Sequence, residues 1–244
     1  MIQSKQRFFY TTSFLILLLL LSGTNYLNAQ AQSSVNEISR DELRGLLERN
    51  VVPTSRAVET IGSPYLYGEF RSGVLTLFNG RETEPLMMNF NAYENRVEYQ
   101  DERVVIAVPG ERIRDFTFIH DGEPILFRKG FSARGLNEED FVQILTEGAV
   151  TFIVKHDVSF QENVAAYGTA TQRDEYISNE RYYIHYQGET DRMRRLTQRN
   201  ISRVPSSFQE QMEEYASTMR LDLSTPEGAA SFFHHYNTLK RVEP

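Results

Sequence analysis

Cysteine and tryptophan are both missing from the 244 residues. Without cysteine there is no disulfide, no thiolate metal ligand, no thiol nucleophile and no redox couple. The lipid-modified cysteine that anchors bacterial lipoproteins is excluded too. Stability must therefore come from packing alone. Without tryptophan, aromatic contact with a ligand falls to the 13 tyrosines and 16 phenylalanines. Positive charge is also scarce, with 26 Lys+Arg against 33 Asp+Glu and a net charge of −7. A general nucleic-acid binder needs a basic footprint, and this balance argues against one. No repeat of fixed period and no low-complexity tract is present.

One long apolar run does exist, at the start. Lys5 and Arg7 precede an unbroken stretch from Phe14 to Leu21, and Ala29-Gln30-Ala31 gives the small-x-small pattern of a signal-peptidase site. The run is short for a bilayer span, and no basic stop-transfer flank follows it. Residues 1–31 therefore read as a signal peptide. The expectation is an exported, soluble protein that begins near Gln32, is periplasmic or secreted, and keeps no integral membrane segment. Removing the leader takes away two basic residues and no acidic one, which moves the net charge from −7 to −9. The remaining length can bury a substantial core.

Along the chain, residues 32–60 read as an N-terminal tether and a short helix. Ser39-x-x-Glu42 forms a capping-box pattern ahead of Leu43, Leu46 and Leu47, and residues 51–60 read as a connector. Residues 61–204 read as an antiparallel β body. About six short strands are expected between Tyr65 and Phe127, punctuated by Asn79-Gly80, the 91–95 tip, Pro109-Gly110 and Asp121-Gly122. Consecutive strands joined by tight turns should pair antiparallel. Phe141 to Thr146 and Ala149 to Val154 read as a further pair around Glu147-Gly148. The acidic run Glu138-Glu139-Asp140 also resembles a helix start, but the β-branched second run favours strands. Residues 161–175 are polar and read as a loop. Arg181 to Tyr186 is a strand, with a short partner near Met193 after a Gly188-Glu189 turn. Residues 205–244 read as a helical pair packed on the sheet. Ser207-x-x-Glu210 suggests a second capping box, with Phe208, Met212, Tyr215 and Met219 as one apolar stripe. Thr225-Pro226-Glu227 starts the other helix, whose apolar side carries Ala229, Phe232, Phe233, Tyr236 and Leu239.

Candidate chemistry is thin. No Gly-x-Ser-x-Gly elbow accompanies the pairs His120-Asp121 and His156-Asp157, and neighbours on a strand point to opposite faces. His234 and His235 diverge by about 100° on a helix, whereas a metal pair wants a spacing of three or four. No cofactor and no metal site is expected. Glu94 and Glu98, near the 91–95 tip, are the least arbitrary carboxylates for glycoside cleavage, although solvated surface gives the same letters. Asn89, Asn91, Tyr93 and Asn95 would share one alternating face and bring amides and a ring to a sugar or peptide; Asn is equally a turn residue. Tyr182 and Tyr183, with Tyr186, suggest either an exposed contact patch or alternating core positions. Arg192, Arg194, Arg195, Arg199 and Arg203 make a basic stretch suited to an acidic partner or lipid headgroups, or to a salt-bridged surface.

Several short motifs resemble a group of exported β-rich envelope proteins of Gram-negative bacteria. They are Gly62-Ser63-Pro64-Tyr65, Asn91-Ala92-Tyr93, Asn179 to Ile184, and Phe232-x4-Asn237 after a helix that begins near Pro205. The resemblance covers most of the chain after the leader. It implies export and a β-rich body, and it transfers no activity and no site residue.

The reading as a whole is an α+β protein, an antiparallel β meander or partial roll with two C-terminal amphipathic helices, built as one compact unit. The expected function is an exported non-catalytic envelope protein with a binding or structural role, its partner a protein or glycan and not a nucleic acid. The alternative is a carboxylate-dependent hydrolase acting on polysaccharide or peptide. An outer-membrane barrel is disfavoured, because such barrels need strands of about 9–11 residues.

Overall fold

The computed structural model describes residues 37–47, 52, 60–120, 122–165, 172–202, 204 and 207–242. The expected signal peptide, nearly all of the 51–60 connector, Asp121, Arg203 and Pro205 lie outside the described residues. Among those described, no helix is long and apolar enough to cross a membrane.

The protein is α+β and mostly β, as its alternating apolar runs and turn pairs imply. Thirteen strands join one sheet. The first stretch holds β1 (Glu37–Ile38), helix α1 (Arg40–Leu47) and β2 (Thr60–Ile61). Ser39 caps α1 as the capping pattern predicts, its Oγ accepting from the Glu42 N–H at 3.3 Å. The body continues through β3 (Arg71–Leu77), β4 (Glu82–Thr83), β5 (Leu86–Asn91), β6 (Arg96–Asp101), β7 (Val104–Val108), β8 (Ile113–His120) and β9 (Glu123–Arg128). Then come β10 (Val142–Thr146), β11 (Val150–Ala165), β12 (Gln172–Tyr186) and β13 (Glu189–Met193). Helices α2 (Gln198–Ile201), α3 (Gln209–Thr218) and α4 (Pro226–Val242) close the chain.

The strand order is β13-β12-β11-β10-β9-β8-β3-β5-β6-β7. Neighbours in sequence are therefore neighbours in space, except that β8 returns to the free edge of β3. Two short parallel pairings, β1 with β4 and β2 with β12, make the sheet mixed. The link from β7 to β8 has only four residues, and its ends can be at most about 17 Å apart. In a flat sheet those strands would stand about 19 Å apart, four spacings of 4.8 Å. The sheet must curl, and its core shows that it does. The Phe90 ring on β5 lies 5.6 Å from that of Phe127 on β9, three strands away. Phe116 stacks on Phe127 at 4.8 Å, and Phe141 closes the group edge-on.

Beyond this roll, β11 is buried on both faces from Val150 to Val154, which accounts for its continuous apolar run. Val150, Phe152 and Ile184 meet α3 and α4 through Met212, Phe232, Phe233 and Tyr236. Ile153 and Tyr183 meet Leu136 and Val142 on the other face.

Several expectations need correction. Residues 161–165 and 172–175 are strand, not loop, because β11 and β12 form one long hairpin paired from Val150↔Tyr186 to Ala165↔Gln172. Polar composition there reflects an arm reaching past β10, with little core to cover. The second capping box does not form. Phe208 precedes α3 in a left-handed conformation (φ 61°) and makes no side-chain cap, while Ser207 Oγ reaches the Tyr236 hydroxyl at 3.2 Å. Met219 falls just past α3 and is exposed, so the apolar stripe stops at Tyr215. Helix α2 was not anticipated; Thr197 Oγ1 caps it, accepting from Asn200 N–H.

Candidate functional site

The asparagines proposed for sugar or peptide contact lie around the β5–β6 hairpin, and the fold itself uses their amides. Asn89 is buried beneath the 64–70 segment and donates to the carbonyls of Tyr67 and Glu69 at 2.9 and 3.2 Å. Asn91 accepts from the Glu94 N–H at 3.0 Å and donates to Glu98 Oε1 at 3.2 Å. Asn95, at φ 53°, donates to the Glu139 carbonyl and accepts from the Phe141 N–H, both at 2.9 Å, which ties the tip to the strand before the long hairpin. Of the alternating set only Tyr93 is presented outward, resting against Tyr176 and Phe160 of the arm. Tyr182 and Tyr183 point to opposite faces. Tyr183 is fully buried and donates to the Gly135 carbonyl at 3.0 Å. Tyr182 stacks on Phe152, and its hydroxyl donates to Glu180.

Glu98 is fully buried although β6 alternates charged and apolar residues. The Ser63–Tyr67 segment pairs alongside the end of β5, with Tyr65 bridging antiparallel to Asn91, Leu66 N–H on the Phe90 carbonyl and Ala92 N–H on the Pro64 carbonyl. It lays Tyr65 over the carboxylate: the phenol donates to Oε2 at 2.6 Å, while Arg96 Nε donates to Oε1 at 2.7 Å. Burial, then this hydrogen bond, push the Tyr65 phenol well above its ordinary range. Glu94 pairs with the same arginine. The two carboxylates considered for glycoside cleavage thus share one arginine. Tyr65 and Arg96 were missed as members of this cluster; the Pro64-Tyr65 pair was the available signal.

Three open hollows line the β11–β13 region. The first, about 450 Å³, lies between Leu66 and Ala92 on one side and His156–Val158 and Ser178–Glu180 on the other. His156 faces Gln143 Oε1 at 2.8 Å and Glu180 Oε1 at 3.4 Å. Burial lowers its pKa; the charges of Glu180 and Asp157 act against that shift. Asp157 turns to the opposite face and pairs with Arg181 and Lys155. His and Asp, adjacent in sequence, do not cooperate, as strand geometry requires.

The other two hollows, of about 520 and 460 Å³, share Arg192 on the edge strand β13 and Arg194 just past its end. The larger is lined by Arg134, Thr190, Asp191, Arg192 and Arg194; Arg195, Thr197 and Ser224 belong to the smaller. Arg134, Arg192, Arg194 and Arg195 are exposed and have no carboxylate partner among the described residues. Elsewhere Arg40, Arg81, Arg96 and Arg128 sit on carboxylates. Of the basic stretch seen in the sequence, Arg192, Arg194 and Arg195 line these hollows without a salt bridge, Arg199 lines neither, and Arg203 lies outside the described residues. Arg134, sixty residues earlier, could not be foreseen as their neighbour.

Among the described residues no three His, Asp or Glu side chains are grouped to hold a metal ion. His234 is exposed, and His235 stacks on Tyr215 at 3.9 Å. No protein-family model, curated protein or solved structure matches the chain.

Proposed function

We propose that the chain is an exported, non-catalytic protein of a Gram-negative envelope, with a binding role exercised through the concave surface of β13. One contrast carries this reading. The carboxylates of the 91–95 tip and of the His156 hollow are tied to internal partners: Glu98 to Tyr65, Asn91 and Arg96; Asp157 to Arg181; Glu180 to Tyr182 and His156. Of the arginines around the β13 hollows, Arg134, Arg192, Arg194 and Arg195 have no such partner among the described residues, while Arg181, in the wall of the smaller hollow, is held by Asp157. A carboxylate-dependent hydrolase wants two acids facing each other across a cleft. Glu180 and Asp157, the acids of the His156 hollow, instead face opposite sides of the sheet and are already engaged. Export is supported by the basic, apolar and small-x-small order of residues 1–31.

Two measurements test the reading. Intact mass of the protein from its native host should correspond to a chain beginning near Gln32; an intact Met1 on cytosolic protein overturns export. Cross-linking in the intact envelope should recover the protein with a reproducible partner that charge reversal at β13 releases. Recovery of the protein always alone counts against a binding role.

A further inference from the structure

We infer that the β13 hollows form a binding site for a phosphate-bearing ligand, held by Arg134, Arg192 and Arg194. This rests on reading that surface as the binding surface. Strand alternation sorts the charges of β13. Thr190 and Arg192 pair with His185 and Tyr183, and so face the side covered by the 131–136 loop. Asp191 pairs with Ile184 and so belongs to the helix-covered side. Arg194, just past the end of β13, lines the same hollow as Arg192.

Arg134 comes to them from a fixed position. Ala133 and Leu136 exchange both backbone hydrogen bonds at 3.0 Å, making Arg134-Gly135 the tip of a tight turn. Gly135 has φ +82°, a left-handed conformation that favours glycine at the tip. The Tyr183 hydroxyl bonds the Gly135 carbonyl, and Phe131 packs edge-on against His185. The turn is thus pinned to the sheet before any ligand arrives, which lowers the ordering cost of binding.

Charge selects the ligand class. Three guanidinium groups line one hollow with a single carboxylate, Asp191, in its wall. A neutral glycan would leave that charge unused, and one carboxylate would leave most of it uncompensated. A phosphate offers a double charge and several acceptor oxygens, which suit the planar donor forks of arginine. The phosphate can belong to a soluble molecule or to a lipid headgroup.

The probes are inorganic pyrophosphate, followed by calorimetry at low salt, and phosphatidylcholine vesicles with or without phosphatidic acid, followed by co-sedimentation. Pyrophosphate should bind saturably, and R192E/R194E should weaken it at least about tenfold, since each charge-assisted bond is worth more than about 1.4 kcal/mol. The double variant R103E/R220E makes the same change in net charge at exposed residues elsewhere. It should bind as the parent does. Retention on phosphatidic acid vesicles that R192E/R194E abolishes assigns the phosphate to a lipid; pyrophosphate binding without retention assigns it to a soluble ligand. Binding of neither probe, or equal loss in both double variants, overturns the inference. Failure here with a captured partner intact refutes the phosphate and not the binding role.

Discussion

At the scale of single residues, the chain puts polar groups where an alternating pattern predicts solvent and then satisfies them internally. Glu98 is the clearest case. Its neighbours Val97 and Tyr99 were legible as core positions, but nothing local in the sequence says that a segment thirty residues upstream covers the opposite face. The Tyr65–Glu98 bond is buried and charge-assisted, so Tyr65→Phe should cost about 1.5–3 kcal/mol and Glu98→Gln a similar amount. Chemical denaturation of the two single variants and the double should give a coupling of about 1–2 kcal/mol; strict additivity would mean that the bond contributes nothing. His156 sets a pH dependence. Burial holds its imidazole below the ordinary 6.5, so near that pH the unfolded chain takes up a proton that the folded chain refuses. The stability tied to a neutral His156 is complete above about pH 6.5, falls as pH drops through that value, and levels off below the folded pKa. Melting temperatures above and below this window should therefore diverge less in His156→Gln than in the parent. An unchanged difference would remove His156 from the account.

At the scale of elements, strands and turns were readable because the period-two pattern and the breaker pairs are local. Helix α4 was readable from Thr225-Pro226 and its apolar stripe. What escaped was long-range: the return of β8 to β3, and the length of the β11–β12 arm, whose polar composition imitates a loop. The docking of α4 shows how such placement is fixed. Asn237 accepts from the Val150 N–H at 2.8 Å and donates to the Val150 carbonyl at 2.7 Å, locking the helix to the start of β11. The turn before it passes so close that a Cβ on Gly148 would lie 2.5 Å from Asn237 Cγ, and Gly148 has φ +157°. Asn237→Ala strands two buried backbone groups, so about 2–4 kcal/mol should be lost. Asn237→Asp keeps the acceptor but sets a carboxylate oxygen against a carbonyl, and should be no better than alanine. Gly148→Ala should loosen the same joint. Amide hydrogen exchange at Val150 should accelerate in all three, while exchange in β5 and β6 stays as in the parent. Uniform acceleration would show that the joint is not local.

At the scale of the whole molecule, one sheet serves two apolar clusters. Phe116, Phe90 and Phe127 fill the roll, while Phe152, Phe232 and Phe233 lie under the helices. The sequence favoured a single unit because no linker divides residues 65–240. The structure adds a mechanical reason, since β9 and β10 pair continuously into β11, and Asn95 ties the β5–β6 tip to the segment entering β10. The two clusters therefore share one continuous ladder. Phe116→Ala and Phe152→Ala should each cost about 3–5 kcal/mol, the range for emptying a large aromatic site. If the sheet couples the clusters, both variants should lower the midpoint of one common thermal transition, seen alike by tyrosine absorbance and far-ultraviolet circular dichroism. Two transitions, each moved by only one of the variants, would mean that roll and helical layer fold separately.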